Sequence, residues 1–161
     1  MKNTYRHIKA FILLAFCVLF DQLTKYLAHT YLRPVGRISL IPGILDLQYL
    51  ENRGAAFGML ANRQWIFILF AVIIAAGCIL YWFRLPLTGT YFPMHLCLLF
   101  LCAGALGNMI DRIARGFVVD FIYFSAVRFP VFNVADIYVT VSVAAMLALV
   151  LFFYKEPDKA V

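Results

Sequence analysis

Four long apolar stretches leave this chain few ways to fold. A helix that crosses a hydrocarbon core needs ~20 consecutive, mostly apolar residues. Residues 65–83 supply 19 without a charge, and residues 91–110 supply 20 without Asp, Glu, Lys or Arg. Residues 137–154 add 18 more. Residues 10–20 form an unbroken apolar run of 11, which extends to about residue 28 if Asp21 and Lys25 are tolerated. Lipid offers no partner to backbone N–H and C=O groups, so segments of this kind are stable there only as helices. Charged residues make up 14% of the chain, where a soluble domain carries about 25%. The expected fold is an all-α membrane protein with four transmembrane helices, at about residues 9–28, 65–83, 93–111 and 136–154. They form a single integral membrane domain over residues 1–161.

Lys2, Arg6 and Lys9 precede the first apolar run, as in a secretory signal peptide. No small-x-small cleavage site follows; the chain continues as Asp21-Gln22-Leu23-Thr24-Lys25, which favours a retained helix. The same basic cluster favours a cytoplasmic N-terminus, and four spans then return the C-terminus, with Lys155 and Lys159, to that side. The outer loops are residues 29–64 and 112–135. In the first of them, Pro42-Gly43 separates the short apolar runs Ile38-Ser39-Leu40-Ile41 and Ile44 to Tyr49. That pattern predicts a small β-hairpin or cradle lying at the membrane surface.

The net charge of +6 does not point to nucleic acid, because no two Lys or Arg residues are adjacent. Cys17, Cys78, Cys97 and Cys102 all fall within apolar stretches and read as small buried side chains, with no disulfide and no metal site. The acids are more informative. Six of the eight, Asp21, Asp46, Glu51, Asp111, Asp120 and Asp136, converge on the outer side. Asp21 stands 12 residues beyond Lys9, or ~18 Å along a helix at ~1.5 Å per residue. An Asp at the centre of a membrane helix costs about 2.5–3.5 kcal/mol on insertion scales, so carboxylates gathered beside apolar spans mark a candidate functional site.

Each motif also has a plain structural reading. Asp21 and Lys25, at i,i+4, can simply pair and fix the first helix to the bundle. Asn52 and Gly54 stand in the stretch 51–58, whose glycines and alanines allow close approach of another chain or serve only as a turn. Gly104 and Gly107 permit close helix contact, and Asn108, Asp111 and Arg112 fall on adjacent turns behind them. Asp120 is a lone acid in an apolar stretch. Asp136 reads as an ordinary N-cap to the fourth helix, with Asn133 one turn before it. Two such carboxylates meeting across a cleft would share a proton near neutral pH and could activate water for peptide hydrolysis. The residue pattern alone leaves open which acids these are, with Asp111 as eligible as Asp120. The histidines have no zinc spacing, no GxSxG elbow is present, and no phosphate-binding glycine loop occurs. A proton-relay or transporter subunit and a non-enzymatic membrane assembly factor are the alternatives.

Five motifs in order carry a resemblance. They are Asp21-Gln22-Leu23-Thr24-Lys25, Asn52-Arg53-Gly54-Ala55-Ala56-Phe57-Gly58, Gly107-Asn108-Met109-Ile110-Asp111-Arg112, Val118-Val119-Asp120-Phe121 and Phe132-Asn133-Val134-Ala135-Asp136. Together they resemble the lipoprotein signal peptidase (signal peptidase II) family. The resemblance implies an intramembrane aspartyl endopeptidase at the periplasmic face of the bacterial inner membrane. Such an enzyme cleaves prolipoproteins just before the diacylglyceryl-modified lipobox cysteine. It places the catalytic dyad at Asp120 and Asp136, substrate contacts at Asn52, Gly54, Asn108, Arg112 and Asn133, and supporting roles at Asp21, Lys25 and Asp111. It further implies no metal or cofactor, contact with membrane lipids, and inhibition by globomycin-type cyclic peptides.

Overall fold

The computed structural model describes residues 2–54 and 63–154. Positions 55–58 of the second motif and the tail at 155–161, with Glu156 and Asp158, lie outside the described residues. Four helices dominate: α1 (Lys2–Leu27), α2 (Gln64–Arg84), α3 (Phe92–Arg115) and α4 (Val134–Ala148). One π-turn, Ala28–Leu32, continues α1, and another, Leu149–Phe153, continues α4. Among the described residues, four helical stretches are long and apolar enough to cross a membrane: Thr4–Leu32, Gln64–Arg84, Phe92–Arg115 and Val134–Phe153. The expected architecture holds, with longer helices at three places. Helix α3 runs on to Arg115, and α4 starts at Val134, which puts Asp136 inside its first turn. Helix α1 begins well before residue 9, at Lys2.

Helix α3 is the hub. Of its apolar window 56% is buried, against 17% for α1, 17% for α2 and 11% for α4. In lipid the outward faces need only be apolar, and large side chains such as Phe11, Phe16, Phe70, Leu80 and Phe152 stay exposed on α1, α2 and the α4 continuation. The inward faces carry smaller residues. Cys17 of α1 packs with Leu99 and Ala103 of α3. Ala75 and Cys78 of α2 pack with Met94, Leu98 and Cys102 of α3. All four cysteines are buried free thiols.

Glycine decides how closely α3 meets its neighbours. A Cβ at Gly104 would stand 2.5 Å from the Ala135 carbonyl oxygen and 2.7 Å from a Val139 methyl of α4. At Gly107 it would stand 2.5 Å from an Asp21 carboxylate oxygen and 3.3 Å from Ala135 Cβ. Both approaches are closed to any larger residue, as the three-residue glycine spacing suggested.

Between the first two spans the expected hairpin forms: β1 (Arg37–Ile41) pairs antiparallel with β2 (Leu45–Asn52). Gly43 supplies the turn with φ +74°, in the left-handed region glycine enters without penalty. Sequence reading missed a third strand. The stretch β3 (Val118–Phe124) pairs antiparallel with β2, giving the order β1-β2-β3. Its first four residues are buried, Asp120 among them. Val119 and Phe121 pack with Ala28 and Leu32 at the end of the first span, which seats the sheet on the helices.

Candidate active site

The site is built where two chain reversals meet. Helix α3 ends at Gly116 (φ +74°), whose N–H returns to the Arg112 carbonyl at 3.2 Å. The left-handed cap turns the chain directly into β3. Beyond a 3-10 turn at Ser125–Val127, the chain doubles back along the free edge of β3. There Phe132 N–H donates to Ile122 O at 3.0 Å, while Phe121 and Ile122 N–H donate to Phe132 O at 3.0 and 2.8 Å. This return delivers Asn133 beside Asp120 just as α4 begins.

Asn133 is fully buried and touches both candidate catalytic acids. Its Nδ2 donates to Asp120 Oδ1 at 2.6 Å. Its backbone N–H donates to Asp136 Oδ2 at 3.1 Å, and its Oδ1 accepts from Asp136 N–H at 3.1 Å. That reciprocal pair is a capping box. Asn133, then, is the N-cap of α4, and Asp136 is its partner three residues on rather than the cap the sequence suggested. The position places a carboxylate at the positive end of the helix dipole.

Two further asparagines complete the frame. Asn52 at the end of β2 donates through Nδ2 to Asp120 Oδ2 at 2.9 Å. Its own Oδ1 accepts from the Gly54 N–H at 3.0 Å, which fixes the amide's orientation. Asn108 of α3 donates through Nδ2 to Asp136 Oδ1 at 2.8 Å. Its Oδ1 accepts from Lys25 Nζ at 2.8 Å and from Asn133 Nδ2 at 3.2 Å. Each asparagine thus spends its oxygen on a donor and its NH₂ on a carboxylate, as the donor and acceptor inventory requires.

Behind this frame lies a buried ionic layer. Lys25 is fully buried, 2.9 Å from Asp21 and 3.6 Å from Asp111. Asp21 also accepts the Ala135 N–H at 2.9 Å, and Gln22 Nε2 bridges Asp21 Oδ2 and Gly107 O, both at 3.1 Å. Asp111 accepts the Val119 N–H at 3.0 Å and pairs with Arg115. The structural reading of Asp21 and Lys25 therefore holds, and Asp111 is committed to anchoring β3 on α3. That commitment separates Asp111 from Asp120, which the residue pattern left equal. Gln22 and Arg115 were not singled out from sequence; only the i,i+4 spacing of Arg115 from Asp111 offered a signal.

Burial, and after it the negative charge of Asp136, push the Asp120 carboxyl up to about 7, against the opposing pull of the Asn52 and Asn133 donors. Asp120 is 1% exposed, while Asp136 is only half-buried. Arg112 stands at the same end of α3, its Nη1 donating to the Asn108 carbonyl at 3.3 Å. Asp46 and Glu51 belong to the sheet instead, Asp46 buried and Glu51 half-buried. Asp46 pairs with Arg37 at 2.6 Å, and Glu51 lies 3.4 Å from Arg33 and 3.2 Å from Arg53. The apolar cleft lined by His7, Phe11, Cys78, Trp82 and Leu98 contains none of the clustered acids.

Comparison with known proteins points the same way. The family model described as Signal peptidase (SPase) II matches residues 13–153. The chain is 43% identical over 144 residues to the lipoprotein signal peptidase of Caldanaerobacter subterraneus subsp. tengcongensis, covering 89% of this chain and 96% of that protein. It is 46% identical over 137 residues to that of Symbiobacterium thermophilum, covering 84% and 89%. The fold is similar to a bacterial membrane enzyme solved by the in meso method at 2.3 Å resolution. The TM-score is 0.80 at 33% sequence identity, over 95% of this chain and 94% of that one.

Proposed function

We infer the function from one premise: the chain belongs to the signal peptidase II, or lipoprotein signal peptidase, family. Membership makes it a membrane peptidase that removes signal peptides from prolipoproteins. We propose that it does so as an aspartyl endopeptidase, with Asp120 and Asp136 as the dyad and the bond before the diacylglyceryl-modified cysteine as the target. The observation that carries this reading is the single buried side chain, Asn133, hydrogen-bonded to Asp120 while its backbone holds Asp136.

Roles follow from the difference between the two environments. Asp120, buried and raised to about 7, holds the proton the pair shares; Asp136, the more open, faces water. Asp136 takes a proton from a water whose oxygen attacks the scissile carbonyl carbon. Asp120 gives its proton to the carbonyl oxygen, leaving a neutral gem-diol. On collapse the C–N bond breaks. The cysteine nitrogen takes the proton from Asp136, and a gem-diol hydroxyl returns one to Asp120, so the dyad ends as it began. Asn52, Gly54, Asn108, Arg112 and Asn133 together shape the pocket and hold substrate backbone or lipid-proximal groups. Asp21, Lys25 and Asp111 hold the helices and β3 in register behind them.

Globomycin-type cyclic peptides would compete for this cleft, and membrane lipids would bathe the helices beside it. The inner membrane, with both termini cytoplasmic and the site at the periplasmic face, is the location this reading requires. The acids' arrangement weighs against the relay alternative: Asp21 and Asp111 are saturated by Lys25, Arg115 and backbone N–H groups.

Turnover of a diacylglyceryl-modified prolipoprotein by single variants tests the proposal. Asp120→Asn and Asp136→Asn are each expected to lose about 10²–10⁴-fold in rate while remaining inserted. Ser39→Ala, Ser125→Ala and Ser142→Ala should keep it. Wild-type turnover by either Asp variant would remove that residue from the dyad.

A further inference from the structure

Arg112 is held by something the motifs do not contain. Its guanidinium carbon lies 4.7 Å from the centroid of the Phe67 ring, inside the ~6 Å range of a cation–π contact. Phe67 comes from the first turn of α2, whose Gln64 Nε2 also donates to the Arg53 carbonyl at 2.6 Å. Arg112 Nη1 donates to the Asn108 carbonyl at 3.3 Å, whereas its Nε is buried without a hydrogen-bond partner among the described residues. A buried donor left unpaired is costly, and a ligand that supplies an acceptor removes the cost. An arginine side chain also loses considerable rotamer freedom when fixed. A ring face on a neighbouring helix limits that freedom before substrate arrives, without consuming any N–H donor.

We propose that Phe67 is a positioning residue: its ring fixes the Arg112 guanidinium so that a free N–H remains available to a backbone carbonyl of the bound peptide. This rests on the proposed peptidase reading for the identity of the ligand, but the stacking itself does not. Phe67 acts through Arg112 and touches no reacting atom. A merely structural ring would tolerate an apolar replacement of similar size and show no coupling to Arg112.

Two measurements decide it. The first is kinetic, with a diacylglyceryl-modified prolipoprotein in detergent micelles. Phe67→Leu should lower kcat/KM about 3- to 30-fold, mainly through KM. Phe67→Tyr and Phe67→Trp, which keep a π face, should stay within about twofold of wild type. In an Arg112→Ala background Phe67→Leu should add nothing. Equal losses for Leu and Tyr, or a full Phe67→Leu effect without Arg112, would overturn the proposal. Wild-type turnover in the same assay reports separately on the peptidase reading. The second measurement needs no turnover. The Arg112 Nε–H resonance, assigned by its absence in Arg112→Lys, should be displaced by the ring and should move on Phe67→Leu. An unmoved resonance would overturn the proposal whatever the kinetics.

Discussion

At the scale of single residues, one buried carboxyl sets the chemistry proposed for the site. Asp120 is raised to about 7 because its charged form is poorly solvated and faces the charge of Asp136. Four donors on the two acids, the side-chain amides of Asn52, Asn108 and Asn133 and the Asn133 backbone N–H, temper the repulsion without abolishing it. If Asp120 supplies the proton to the carbonyl oxygen, kcat/KM should fall as pH rises through about 7. A pH–rate profile that climbs through that point would reverse the roles of the dyad. Stability carries the same signature. The folded state binds a proton at Asp120 that the unfolded chain has released above 3.8, so this residue's contribution worsens as pH rises from there to about 7. Thermal unfolding of Asp120→Asn should show a flatter pH dependence over that window than wild type. An identical slope would contradict the buried, proton-holding carboxyl.

At the scale of elements, the glycines of α3 make the sharpest test. Gly104→Ala would drive a Cβ to 2.5 Å from a backbone carbonyl of α4, and a backbone atom cannot swing aside. Its cost should be about 1–3 kcal/mol, the range for overpacking, with a matching loss of activity as Asn133 and Asp136 shift with α4. Gly77→Ala in α2, where an added Cβ meets nothing within 4 Å, should be neutral or stabilising by up to ~1 kcal/mol. Thermal midpoints in one detergent compare the two; equal midpoints would mean that α3 and α4 are not packed as described. The helices were legible from sequence because lipid imposes a crude rule, length and apolarity, that each span obeys. The hairpin was legible through Pro42-Gly43. Strand β3 was not: its run Val118-Val119-Asp120-Phe121 lacks alternation because it is buried by tertiary contacts with Ala28 and Leu32, which no local pattern shows. The start of α4 was misplaced because Asp136 looks like a cap until Asn133, the true cap, is seen bonded to it.

For the whole molecule, the site emerges from pieces that are distant in sequence. Asn52, Asn108, Asp120 and Asn133 come from β2, α3, β3 and the turn into α4, and Lys25 from α1 orients Asn108. The motif order suggested the participants, yet the hydrogen-bond and ion-pair partners of each acid became visible only in the fold. Phe67 escaped notice because an aromatic residue in a membrane helix has no distinguishing sequence context. Orientation in the membrane belongs to this scale as well. If the sheet lies outside, Arg128→Cys, exposed in the turn after β3, should react with an impermeant maleimide added to intact cells, and Thr88→Cys between α2 and α3 should not. The buried native thiols keep the background low. The reverse labelling pattern would invert the topology.

The central claim, that this acid pair hydrolyses a prolipoprotein at the lipidated cysteine, is met most directly by mass analysis of the cleavage products. Purified protein and a diacylglyceryl-modified prolipoprotein in detergent, with and without chelator, would be run beside Asp120→Asn. The expected products are a free signal peptide and a chain beginning at the lipidated cysteine, formed by wild type alone and unchanged by chelator. No products from folded wild type, or the same products from Asp120→Asn, would contradict it.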